Sequence, residues 1–293
     1  MPLTERQREW RRGGVGASDA PAIVGVDPYR TPADVWASKV FPMDESPASA
    51  AMLAGQRLER SVLSWAAAEL GYKIVRNQRR VSRENPVLRA TLDAIVKDRP
   101  EIIEAKTCAI MGPSPEYDQY GEPGTDEVPD RVIVQVHHQF AVLGSQYRIA
   151  WVPCLIGGRG YLMYRIQRQN ELVEAIVDRD LEFWHQYVLT RTPPPQARIR
   201  LEILKRIRRE PNKTVPIDPT LVEAYETARA AETEARKRKE EAQAALLAAM
   251  GDAEAGDPGN GRVVTYLLEH RRGYTVEAKD IRILRIKKKG TES

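Results

Sequence analysis

Two β-rich runs, VLRATLDAIV and EIIEAKT, are separated by only the four polar residues KDRP, and this limits the architecture more than any other stretch of the chain. A connection so short returns the chain antiparallel beside itself, and Lys97, Asp98 and Pro100 suit a polar turn. GYKIVRNQRRV, just upstream, reads as a further strand. A β-meander is therefore expected between residues 71 and 107. Its charges are unusual: Asp93 sits inside the apolar run LDAIV, and Glu104 follows EII. A charge inside a strand asks for compensation. On adjacent strands Asp93 and Glu104 can approach each other, and Lys106, two residues beyond Glu104, points to the same strand face.

Two carboxylates held together repel, and a divalent cation relieves that repulsion through their hard oxygens. A neighbouring ammonium can stabilise charge developing on a phosphoryl group or position a water. The helix expected over residues 49–70, ended by Gly71, carries Leu58, Val62, Trp65 and Ala66 on its apolar face and Glu59 beside it. Glu59 could supply a further ligand or orient a water. The bland alternative is that both acids occupy strand ends and face water, since an acid and a Glu-X-Lys at this spacing also arise by chance.

Around this hairpin the pattern is mixed α/β. Gly13, Gly14 and Gly16 permit tight turns before Ser18 and Asp19, which can cap a short helix over DAPAIVG. Thr31 and Pro32 suit the cap and first turn of a helix over PADVWASKV. A proline- and glycine-rich loop from Ala109 to Asp130 is long enough to be functional or mobile. Residues 131–144 read as a helix, residues 146–168 as a hairpin turning at Gly157 and Gly158, and residues 170–189 as another helix. After TRTPPPQ the composition changes. Residues 198–210 are strongly basic, residues 219–250 form an Ala/Glu/Lys/Arg-rich exposed helix or helical hairpin, and a polar linker leads to a small β element with the basic run Lys287 to Lys289. The expected division is 1–192, 193–250 and 251–293.

The whole-chain properties exclude some classes. A 42% hydrophobic content in 293 residues supports a real core. The net charge of +4 tolerates a nucleic-acid partner without demanding one. Cys108 and Cys154 are too few for a disulfide scaffold, and no apolar signal core or run of 18 apolar residues occurs, so an intracellular protein with no membrane partner is expected. Adjacent His137 and His138 point in different directions on a helix and make a poor zinc site.

Six segments in order, GASDAPAIVG, PYRTPADVW, GQRLE, ATLDAIV, EAK and VQVHHQFAVLG, resemble the YqaJ-type viral recombinase family, related to phage lambda exonuclease within the PD-(D/E)XK, restriction-endonuclease-like nucleases. The resemblance spans about residues 10 to 190. It implies a mixed central sheet flanked by helices, with the C-terminal helical arm and small β element as additions. It implies that Asp93 and Glu104 hold Mg²⁺ or Mn²⁺ with the Ala105 carbonyl and Glu59 as further ligands, that Lys106 orients the attacking water, and that Gln135 supports the lysine. It further implies that Arg12 and Ser18 bind a terminal 5′ phosphate, although from the residues alone Ser18 reads as a helix cap and Arg12 as a solvated charge. Leu92 stands where the family usually has a proline. Arg76, Arg79, Arg80, Arg83 and His138 are candidate DNA contacts.

The expected activity is metal-dependent 5′ to 3′ exonuclease action on linear double-stranded DNA. It would take place in the cytoplasm of a bacterial host and resect ends for phage or prophage recombination by a single-strand annealing protein. A homotrimer is a property of some relatives. The competing readings are a structure-specific or nicking endonuclease and a noncatalytic DNA-binding scaffold. No base-specific motif is present, so contacts should go mostly to phosphates.

Overall fold

A computed structural model describes residues 4–44, 48–195, 199–268 and 270. The meander forms as expected: β2 (Ile74–Val81) runs antiparallel to β3 (Leu88–Val96), and β3 to β4 (Glu101–Ile103). The third strand departs from expectation. It breaks after Ile103 and resumes as β5 (Lys106–Cys108), leaving Glu104 and Ala105 outside the ladder. Both fragments pair in parallel with one long strand, β6 (Ile149–Ile156), which turns through Gly157 and Gly158 into antiparallel β7 (Gly160–Gln167). A two-residue strand, β1 (Val15–Gly16), lies parallel to the start of β3. The result is one mixed seven-stranded sheet.

Helices cover both faces. α4 (Ala50–Leu70) is capped by Ser49, ends at left-handed Gly71, and buries Val62, Leu63 and Ala66. α5 (Asp130–Leu143) buries Val132, Val136 and Phe140 in the main core. α6 (Asn170–Phe183) packs on α5 and continues into a π-helical turn over residues 184–188. At the N-terminal end are α1 (Glu5–Arg12), α2 (Ala20–Val24) and α3 (Pro32–Val40). Thr31 closes a capping box with Asp34 at the start of α3, as its sequence suggested. The 109–130 loop is tied down: Glu116, Tyr120 and Val128 are buried, and Glu116 pairs with Arg131.

The first compact unit extends to Asn212, beyond the change of composition at residue 193, because α7 (Leu201–Lys205) and the residues after it pack onto the N-terminal helices. The second unit contains α8 (Pro219–Met250), a single 32-residue helix with no buried residue, and a small antiparallel pair, β8 (Ala255–Gly256) and β9 (Val264–Thr265). The Lys287 to Lys289 run lies outside the described residues. Among the described residues no helix is long and apolar enough to cross a membrane.

Candidate active site

The site is built on an irregularity in β3. Leu88, Ala90 and Leu92 pack into the core cluster that contains Val132, Val136 and Phe140 of α5. Ala94 and Val96 pack instead with Leu63 and Ala66 of α4. Period-two alternation would keep these five residues on one face, so β3 exchanges its faces at Asp93. The register of β2 sets Asn77 opposite, between the pairs Arg76↔Ala94 and Gln78↔Leu92, and Asn77 adopts φ of 54°. Asparagine tolerates this left-handed conformation better than most residues.

The break in the next strand meets this irregularity. The Ala105 N–H, released from the ladder, donates to Asp93 Oδ2 at 2.9 Å. Glu104, only 3% exposed, collects three donors: Lys106 Nζ at 2.7 Å and Gln135 Nε2 at 2.6 Å on Oε1, and Gln139 Nε2 at 2.7 Å on Oε2. Lys106 Nζ also donates to Gln135 Oε1 at 2.9 Å. Glu104, Lys106 and Gln135 of the expected set thus form one hydrogen-bonded network, and Asp93 is tied to the same strand break by the Ala105 N–H. Gln139, not singled out from the sequence, belongs to that network through Glu104. Its spacing from Gln135 was the available signal, since residues four apart share a helix face.

Charge is unevenly settled here. Burial, followed by the Glu104 charge, pushes the Asp93 carboxyl well above the usual carboxylate range, with Lys106 opposing and Glu59 adding to the rise. Burial and Glu104 likewise raise Glu59. Among the described residues no three acid, histidine or cysteine side chains form a ready-made metal cage. The chemistry of the donor set nevertheless fits a hard divalent cation, because Asp93 and Glu59 are carboxylates whose ionisation is opposed by burial and by the neighbouring Glu104 charge.

A cleft of about 640 Å³ joins this centre to the N-terminal helices. Asp93, Glu104, Glu59 and Gln135 line it, and so do Arg12 and Ser18. Asp19 occupies the N-cap of α2 but makes no capping bond. Its carboxylate instead accepts from the Gly16 N–H at 3.1 Å, pairs with Arg30 at 3.0 Å and receives Lys39 Nζ at 2.6 Å. Lys39 donates in addition to the Arg11 carbonyl. The end of α1, which carries Arg12, and the turn holding Ser18 are therefore fastened to one buried ion cluster. Burial would raise the Asp19 carboxyl, but the Lys39 and Arg30 charges and the Gly16 N–H together hold it well below the usual range.

Other expected DNA contacts separate. His138 is fully buried, with Nδ1 at 2.7 Å from Asp180 Oδ2 and Nε2 at 3.1 Å from the Arg89 carbonyl, so it faces the α5–α6 interior and not a DNA surface. His137 is equally buried, bonded to the Ile133 carbonyl and to the Gln169 N–H. Arg76, Arg79, Arg80 and Arg83 are exposed on or next to β2, with Arg79 over the Trp10 ring. Cys108 and Cys154 are buried free thiols.

Residues 8–146 match the YqaJ-like viral recombinase domain. Over 266 residues the chain is 31% identical to the protein YqaJ of Bacillus subtilis (strain 168), an alignment that takes in 86% of this chain and 81% of that protein. Its fold is similar to that of an alkaline exonuclease (LHK-Exo) from Laribacter hongkongensis, with a TM-score of 0.50 at 20% identity over 64% of this chain and 94% of that one. The same exonuclease in complex with dAMP gives 0.51 at 21% identity over the same shares.

Proposed function

The chain belongs to the family defined by the YqaJ-like viral recombinase domain, and on that footing we propose that it is a divalent-metal-dependent deoxyribonuclease digesting linear duplex DNA from 5′ ends. The observation that carries this reading is the cleft shared by the acid centre and by Arg12 and Ser18. A cleft with acids alone would suit any phosphodiesterase of this fold. Adding an arginine and a hydroxyl supplies donors for a terminal phosphate monoester, and such an anchor favours cutting from an end.

Mg²⁺ or Mn²⁺ held by Asp93 and Glu104, with the Ala105 carbonyl and Glu59 as further ligands, would supply positive charge against the phosphoryl oxygens and acidify a water. The chain's own groups do the positioning. The Lys106 ammonium, fixed between Glu104 and Gln135, stands where it can orient the attacking water and offset charge on the phosphoryl oxygens. Gln135 and Gln139 hold Glu104 from two sides, which keeps its carboxylate from rotating. Asp93 is oriented by the Ala105 N–H. The Asp19 and Lys39 pair keeps Arg12 and Ser18 on one wall. The 3′ tails left by resection would pass to a single-strand annealing protein in the bacterial host cell.

Linear duplexes with 5′ phosphate or 5′ hydroxyl ends and a closed circle, each with Mg²⁺ or chelator, test the reading for the native chain and Asp93→Ala. Digestion of phosphorylated linear duplex alone, lost on chelation or substitution, is expected. Rapid cutting of the closed circle would instead favour an endonuclease of the same fold.

A further inference from the structure

After the π-helical turn the chain comes back across the N-terminal helices. Ile199 and Ile203 pack against the main core. Arg200 donates through its backbone N–H and its Nε to the two oxygens of Asp34, at 3.0 and 2.7 Å, and Asp34 is buried in the capping box of α3. Beyond α7 the chain pairs with residues 42–44: Met43 and Ile207 form an antiparallel bridge, the Asp44 N–H donates to the Arg206 carbonyl, and the Arg208 N–H donates to the Pro42 carbonyl at 2.9 Å. Ile207 is 6% exposed and anchors this strap. Its neighbours Arg206 and Arg208 both line the cleft that holds Asp93 and Glu104.

Arg206, the helical C-cap of α7, and Arg208 stand on either side of the buried Ile207. With Ile207 turned into the protein, the guanidinium groups on either side of it both stand on the cleft wall. Asp44 orients both: its carbonyl accepts from Arg206 Nε at 3.0 Å and its Oδ1 from Arg208 Nε at 3.0 Å. A wall of this kind answers a physical need, because crowded carboxylates repel a polyanion. The strap lies beyond residues 8–146, the part matched by the recombinase domain.

We propose that residues 199–208 form a phosphate-gripping wall of the cleft, with Arg206 and Arg208 binding neighbouring backbone phosphates of the strand that enters the acid centre. The proposal rests on the nuclease reading and adds to it a route for the strand. It predicts sequence-independent, salt-sensitive grip separate from recognition of the 5′ end.

The test is equilibrium binding of the full chain to a 5′-phosphorylated linear duplex in chelator, across a salt series. Each phosphate contact contributes about 0.9 to the slope of log K against log salt. Arg206→Gln with Arg208→Gln should lower that slope by about 2 and affinity by about tenfold or more at low salt, while Arg206→Lys with Arg208→Lys keeps the slope. Preference for 5′ phosphate over 5′ hydroxyl should stay unchanged. Arg208→Gln alone, which leaves the backbone pairing of the strap in place, should lower the slope by about 1 and serves if the double variant does not fold. An unchanged slope in the Gln variants, or weaker binding at the native slope, overturns the proposal and leaves the strap a packing element. A native chain that neither binds nor degrades duplex DNA overturns the nuclease reading first.

Discussion

Two groups of buried charge face the same cleft and are settled in opposite ways. Around Asp19 one carboxylate is met by two cations: it takes Lys39, Arg30 and a backbone N–H, and its proton affinity falls despite burial. Around Asp93 three carboxylates share one ammonium. Glu104 claims Lys106 directly, and the proton affinities of Asp93 and Glu59 rise. The first arrangement stabilises the fold as it stands. The second is more stable with added positive charge, which is what a site for a cation and a phosphodiester requires.

This contrast has measurable consequences. Asp93→Asn should lower turnover by about a thousandfold, the upper end for losing one electrostatic contributor, yet raise metal-free stability. The sign follows from the raised carboxyl: its stabilising contribution is present at low pH and is lost as pH rises through its folded pKa. At pH 8 the melting temperature of metal-free Asp93→Asn should therefore exceed that of the native chain by about 2–4 °C, the shift given by ~1 kcal/mol in a domain of this size. Mg²⁺ or Mn²⁺ should reverse the order, more strongly at pH 8 than at pH 6. An Asn variant that melts lower without metal would break the comparison.

Lys39→Met should do the opposite, destabilising by about 3–5 kcal/mol in urea denaturation, because it leaves a buried carboxylate short of its closest cation. For Asp19, with its lowered carboxyl, the contribution is present above the ordinary aspartate range and lost on acidification. The stability of the native chain should fall more steeply between pH 5 and pH 3 than that of Lys39→Met.

Gln135→Ala should be milder, with a 10–100-fold loss of turnover typical of a residue that orients a ligand, and a melting temperature close to native. Smallest of all, Arg238→Ala removes an exposed ion pair with Glu234 on α8 and should change stability by less than about 0.5 kcal/mol. That result would sharpen the contrast by showing that the same charges matter little when water surrounds them.

The legible part of the site was local. Asp93, Glu104 and Lys106 lie on either side of one short turn, so period-two geometry and a four-residue connection suffice to bring them together. Glu59 was drawn in by its place beside the apolar face of its helix, whereas Gln135 came from the ordered family segments, since nothing in its own surroundings singles it out. Ser18 and Asp19 read as helix caps, and the cap at Asp19 did not form because two cations and the Gly16 N–H compete for its carboxylate. His138 stood among the candidate DNA contacts. It is buried because α6 covers that flank and Asp180 meets its ring.

Patterning and turn chemistry were enough to specify the meander, the separate helices and the exposed polar helical stretch after residue 219, because each of these rests on periodicities that repeat within a few residues, whereas the mixed sheet flanked by helices came with the family resemblance. The break at Glu104 and Ala105, the face exchange at Asp93 opposite Asn77, the capture of Lys39 by Asp19 and the return of residues 206–208 to residues 42–44 came from packing. These features depend on partners distant in sequence, and their energies are settled by what burial leaves paired or unpaired. No local pattern encodes that, because the dielectric and the neighbours of a buried charge exist only once the chain has folded.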